Sequence, residues 1–158
     1  MVVGTGYRVL LIEDHPLNVE LVRDLLESEG IAVVHAASAE EALGRVAGEQ
    51  PDLALIDLAL PGMDGLEATR RLKQDPEARG LCVVVLTARA MQSDREAALA
   101  HGADAYMTKP LDTRTFAREI LALLRARGAP RHPPSPPGPP APANAGGEAG
   151  EPDEGEGR

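Results

Sequence analysis

Residues 51–65 read PDLALIDLALPGMDG, an apolar run with the density of a buried strand that ends in a carboxylate, Asp57, just ahead of a Pro-Gly turn. A charge left in a core costs on the order of several kcal/mol unless it is paired or bound to a cation. Outward from this stretch lie four more short apolar runs: YRVLLI (7–12), IAVVHA (31–36), LCVVVLTA (81–88) and DAYMT (104–108). Each is rich in Val, Leu, Ile or other strand formers and bounded by polar or Gly/Pro punctuation, so each reads as a strand. In chain order the first, third and fourth of the five, YRVLLI, DLALI and LCVVVLTA, are apolar enough to be buried on both faces, as in a parallel sheet.

Between the runs the apolar period becomes helical. Pro16 suits a first helical turn, and Leu17, Leu21, Val22, Leu25 and Leu26 fall on one stripe before Gly30 ends it. Ser38 with Glu41 makes a capping box ahead of Leu43 and Val46. Residues 65–73 and 91–101 read as two further helices. Asp112 is placed to cap a last one, with Phe116, Ile120, Leu121 and Leu124 inward. A strand-helix unit repeated five times implies an α/β fold, a doubly wound five-stranded parallel sheet flanked by five helices. Ligands of such sheets bind outside the carboxyl ends of the strands.

Those ends carry Glu13-Asp14, Asp57, Thr87-Ala88 and Thr108-Lys109-Pro110. Each has a plain structural reading alone: a turn-capping Asp57, an acidic helix start at Glu13-Asp14, a strand-end Thr87 and a solvated Lys109. All at matching ends of four strands, they form a site. Three carboxylates together call for a cation, and oxygen ligands without a His or Cys cluster suit a hard ion, Mg²⁺ better than Ca²⁺. His15 follows the acidic pair, but a hard oxygen site does not need it as a ligand, and His35 and His101 have no visible constellation and read as filler. A carboxylate also serves as nucleophile in aspartyl-phosphate chemistry, where Mg²⁺, Lys109 and the Thr87 hydroxyl would surround the phosphoryl oxygens.

With 43% hydrophobic residues, 26% charged residues and a net charge of −9, the chain suits an acidic globule, not a phosphate-neutralising nucleic-acid binder. Tyr7, Tyr106 and Phe116 are the only aromatics, too few for a base-stacking platform. The lone Cys82 reads as a small buried hydrophobe in a reducing compartment. With no membrane-length apolar stretch or signal-peptide core, the expected location is cytoplasmic. From Pro130 to Pro152 the chain carries nine of its 14 prolines, and the tail from Gly128 has two arginines against five acidic residues. The expected organisation is therefore one domain over 1–127 and a disordered, Pro-rich then acidic tail over 128–158. No DNA-binding output domain is expected, so the signal would leave through protein contacts.

The ordered set LLIEDHPLN, ALIDLALPGMDGLEATRRLK, VVVLTARAM and GADAYMTKPLD resembles the receiver domain of bacterial response regulators, the CheY-like family with a flavodoxin-like (βα)5 fold. The resemblance spans roughly residues 7–126. It implies that Asp57 is the phosphoacceptor, taking a phosphoryl group from a sensor histidine kinase or a histidine phosphotransfer protein. It further implies that Glu13, Asp14, Asp57 and the backbone carbonyl of Ala59 hold Mg²⁺, and that Lys109 binds phosphate through a cis Lys109-Pro110 geometry. Thr87 and Tyr106 match the switch pair that changes affinity for a downstream protein target, Ala88 leaves room for the donor, and Ala59 and Arg89 match positions that tune phosphate lifetime. Such a chain is a switch in a two-component system or phosphorelay, not an enzyme beyond its own phosphorylation and slow dephosphorylation. The alternative is a non-phosphorylated scaffold of the same fold, using PPSPPGPP (133–140) as a docking segment. A dehalogenase-type hydrolase is excluded because Asp57-Leu58-Ala59 lacks its second carboxylate, and no G-x-G-x-x-G follows a strand.

Overall fold

The computed structural model describes residues 4–58, 65–78, 80–88 and 91–131. Five strands, β1 (Arg8–Ile12), β2 (Ala32–Ala36), β3 (Leu53–Asp57), β4 (Cys82–Thr87) and β5 (Ala105–Thr108), pair in parallel in the order β2-β1-β3-β4-β5. Between and after them run α1 (Pro16–Glu27), α2 (Ala39–Glu49), α3 (Gly65–Gln74), α4 (Gln92–Ala100) and α5 (Phe116–Arg127). The doubly wound sheet read from the apolar runs is the one observed. Its strand order reverses at β1, between β2 and β3, the switch point where a crevice opens at the carboxyl ends.

Alternation along the strands divides the core into two layers. Val9, Leu11, Leu53, Leu55, Val84 and Leu86 pack with Val22 and Leu26 of α1 and Phe116, Ile120 and Leu124 of α5. Leu10, Ile12, Ala54, Ile56 and Val83 pack the other way, against Ala42 and Val46 of α2 and Ala68 and Leu72 of α3. Strands β3 and β4 are buried along their whole length, and Cys82 is a free, buried thiol whose pKa burial pushes up. The α1 stripe is wider than the face that packs: Val22 and Leu26 are buried, whereas Leu17 is 68% exposed and Leu21 38%. Both lie near the carboxyl edge, where α1 borders a cleft instead of the sheet.

Local signals hold in detail. Glu41 N–H donates to Ser38 Oγ at 3.1 Å, and the Glu41 carboxylate accepts from Ala37 N–H at 3.0 Å, closing the box one residue further back than the usual form. Asp112 does not cap α5 directly. Its side chain accepts from Arg114 N–H at 3.0 Å in a turn that precedes the helix, which begins at Phe116. On the edge strand β2 the outward carbonyls are covered by arginines: Arg23 Nη1 reaches Val33 O at 3.2 Å, and Arg45 Nη1 reaches His35 O at 2.7 Å. Covered carbonyls leave a poorer template for an added strand.

Two aspartates fasten the amino-terminal floor of the sheet. Asp52, just before β3, accepts from Arg8 N–H at 2.8 Å, and Asp104, just before β5, accepts from Val83 N–H at 2.8 Å. Lys73 Nζ donates to Asp104 at 2.8 Å and Arg127 Nη1 at 3.3 Å, tying α3 and α5 to the same carboxylate. The segment after α5 lies against this floor, with Tyr7 OH donating to Gly128 O at 2.8 Å and Arg131 N–H to Asp52 at 2.9 Å. Residues 132–158, the rest of the expected tail, lie outside the described residues.

Two stability effects are expected. A Cβ on Gly65 would lie 2.8 Å from Leu58 Cα and 3.0 Å from the Asp57 carbonyl oxygen. Gly65→Ala should therefore cost ~1–3 kcal/mol of unfolding free energy in urea titrations. At Asp104, burial favours the neutral acid, but the Lys73 ammonium, the Val83 N–H and the Arg127 guanidinium outweigh it and hold the carboxyl below its ordinary 3.8. Its contribution is present above pH 3.8 and lost as pH falls through the lower folded value. Asp104→Asn should lower the melting temperature at pH 7 and flatten the acid limb of the stability–pH curve; an unchanged acid limb would remove this carboxylate from the account.

Candidate functional site

The site is built where the sheet ends. Register pairs Ile12 with Ile56, so the residues after β1 emerge beside Asp57, and Asp57 pairs with Leu86, one residue before Thr87. Glu13, Asp14 and Asp57 each offer a carboxylate oxygen, all within 4.8 Å of one another. Glu13 is 1% exposed and Asp57 6%, while Asp14 faces solvent. Like charges this close repel one another.

Among the described residues, Lys109 is a compensating charge at the site. Its Nζ lies 3.1 Å from Asp57 Oδ2 and 3.4 Å from Glu13 Oε1. Its position follows from β5: Lys109 N–H donates to Thr87 O at 2.7 Å, which extends the β4–β5 ladder one step, and the Lys109-Pro110 bond is cis. One ammonium leaves the group acidic. An all-oxygen donor set of this charge, open to water at Asp14, suits a hard divalent cation. Ala59 lies outside the described residues, as does Arg89, so neither has a structural account.

Thr87 is buried at the end of β4, and Tyr106 is half-buried on β5 opposite Val85. By strand alternation both stand on the α4 side, Tyr106 packing with Val85, Ala98 and Ala103. Ala88 is exposed at the mouth of the site. A cleft of about 510 Å³ runs from Glu13 and Lys109 between α1 and the β5–α5 connection, walled by Leu21, Val22, Leu86 and Leu111.

Three residues take part that the sequence did not mark. Asn18 Nδ2 lies 3.4 Å from Glu13 Oε2, because a helix starting at Pro16 turns its first-turn side chain back toward the strand end. His15 is the N-cap of α1, its Nδ1 accepting from Leu17 N–H at 3.3 Å, and its own N–H faces Glu13 Oε2 at 3.3 Å. His35 Nε2 sits 2.7 Å from the Glu13 carbonyl oxygen. The Asn18 signal was legible, five residues after Glu13 in a Pro-started helix. That of His35 required the β1–β2 register.

Residues 9–121 match the family model for the response regulator receiver domain. The chain is 40% identical over 116 residues to the polar-differentiation response regulator DivK of Brucella ovis, covering 73% of this chain and 94% of that one. Among solved structures it is similar to a CheY-like receiver domain protein of Methanospirillum hungatei JF-1, with 32% identity and a TM-score of 0.69 over 77% of this chain and 95% of that one. It is equally similar, at 32% identity and a TM-score of 0.69, to the receiver domain of a sensor histidine kinase from Pseudomonas aeruginosa PAO1, solved with a magnesium ion coordinated in the active site cleft; coverage is 76% and 98%. With the sheet order, the acidic cluster at its carboxyl edge and these likenesses in agreement, the chain belongs to the response regulator receiver domain family of two-component signalling.

Proposed function

We propose that this protein is a phosphorylation switch in which Asp57 accepts a phosphoryl group from a phosphohistidine donor, a sensor kinase or a phosphotransfer protein. The observation that carries the reading is the Lys109 ammonium 3.1 Å from Asp57 Oδ2, beside a cluster of three carboxylates. Asp57 Oδ attacks phosphorus, the bond from phosphorus to the imidazole nitrogen breaks, and the imidazole leaves. Glu13, Asp14 and Asp57, with a backbone carbonyl from Ala59, would hold Mg²⁺, which would supply positive charge to offset that of the transferring group. Lys109 orients a phosphoryl oxygen, and the Thr87 hydroxyl donates to another. The exposed Leu17 on α1, with Leu21 lining the cleft one turn on, gives an apolar footing for a donor helix.

Output follows from the same charge. A phosphoryl group adds acceptor oxygens at one end of the sheet, Thr87 turns toward them, and Tyr106 moves inward on their shared α4 side. The face of α4, β5 and α5 then changes its affinity for a protein target. We read the domain as ending at residue 127, with a Pro-rich acidic tail beyond it. Among the described residues no helix is long and apolar enough to cross a membrane; we assign the cytoplasm on the receiver-domain family instead.

Incubation with Mg²⁺ and acetyl phosphate, followed by intact-protein mass spectrometry, should show one added phosphoryl group. The adduct should be absent from Asp57→Asn and absent when Mg²⁺ is chelated. A wild type that stays unmodified with acetyl phosphate and with phosphorylated donor proteins would instead support the scaffold reading. Lys109→Met should cost ~1–3 kcal/mol of stability in chelator by leaving buried carboxylates without their cation, and less in Mg²⁺; urea titrations in the two buffers measure the difference.

A further inference from the structure

We infer that His35 is a positioning residue for the divalent-cation site, acting through the main chain of Glu13. Two successive residues of β2 grip one residue of the acidic pair. Glu13 N–H donates to Ala36 O at 3.1 Å, and Glu13 C=O accepts from His35 Nε2 at 2.7 Å. A carbonyl has no proton to give, so Nε2 must carry it.

The strengths of the contacts decide what holds Glu13 in place. Its carboxylate meets His15 N–H at 3.3 Å, Asn18 at 3.4 Å and Lys109 at 3.4 Å, all beyond the usual range for hydrogen bonds to charged oxygen. Its main chain is held by shorter bonds on both sides of Cα. The Glu13 N–H to Ala36 O bond is the last rung of the β1–β2 ladder, and among the described residues no rung follows it at Asp14. The direction in which both carboxylates leave the strand therefore depends on the His35 and Ala36 contacts.

His35 is itself anchored from the far side. Arg45 Nη1 donates to His35 O at 2.7 Å, and Arg45 Nη2 pairs with Glu49 of the same helix at 3.1 Å. Helix α2 thus backs an edge strand, the edge strand backs the Glu13 peptide, and that peptide aims the acidic pair. A hard cation needs its ligands set closely, and partners that orient ligands weigh on affinity through geometry alone.

The inference rests on the Mg²⁺ reading above, and the test separates the two. Mg²⁺ dissociation constants are measured by calorimetry for the wild type, His35→Gln and His35→Leu, with melting curves in chelator to confirm folding. His35→Gln keeps an N–H donor at similar reach; His35→Leu keeps bulk without one. His35→Leu should weaken Mg²⁺ binding by about tenfold, and His35→Gln should stay within about twofold of wild type. Leu binding as tightly as wild type, or Gln binding as weakly as Leu, overturns the inference while leaving the Mg²⁺ site standing. A wild type that binds no Mg²⁺ overturns the reading beneath it as well. Should His35→Leu not fold, ¹⁵N shifts of the wild-type His35 ring at pH 8 decide: Nε2 protonated supports the contact, and Nδ1 protonated overturns it.

Discussion

Three carboxylates within 4.8 Å, two of them buried, form an arrangement that no folded chain keeps for its own stability. Mutual repulsion and desolvation both act against it, and one lysine offsets only part of the charge. Parallel pairing makes it unavoidable. Once Ile12 stands beside Ile56 and Asp57 beside Leu86, the residues that follow β1, β3, β4 and β5 must meet at one edge. The core supplies the rigidity. Fully buried β3 and β4, packed on both faces, fix the strand ends from which these side chains project.

The two ends of the sheet use acids in opposite ways. At the floor, Asp52 and Asp104 each receive a backbone N–H, and Asp104 also holds Lys73 and Arg127. There the carboxylates are matched by donors and knit strands to helices. At the carboxyl edge the contacts of Glu13 and Lys109 are longer, at 3.1–3.4 Å, and three carboxylates share the site. The stability of the floor offsets the repulsion of the edge, a division of labour expected when a site must stay receptive to a cation and to a phosphoryl group.

Much of this was legible in the sequence because burial on both faces imposes continuous apolar runs, which no surface element imitates. The five runs, their order and the capping box at Ser38-Glu41 came directly from local pattern. What escaped did so for physical reasons. Leu17 and Leu21 lie on the helical period of α1, but Leu17 is exposed and Leu21 borders a cleft, and periodicity cannot tell a core from a rim. Asp112 carries a capping signal that the chain spends on a preceding turn. His35 had no visible partner because its contact with Glu13 spans 22 positions and exists only once β1 and β2 are in register. The acidic site itself became legible only by placing strand ends together, since each residue alone has an ordinary structural explanation.

A cation at the carboxylate cluster should relieve the repulsion among Glu13, Asp14 and Asp57. The most direct measurement is the melting temperature of the wild type and of Asp57→Asn, first in chelator and then across a Mg²⁺ titration. Ligand binding to the folded state raises stability in proportion to RT ln(1 + [Mg²⁺]/Kd), so each curve reports both strain and affinity. Asp57→Asn should melt higher than the wild type in chelator, because one buried charge is gone, and gain far less from Mg²⁺. An Asp57→Asn protein that melts lower in chelator and gains as much from Mg²⁺ as the wild type would contradict both expectations.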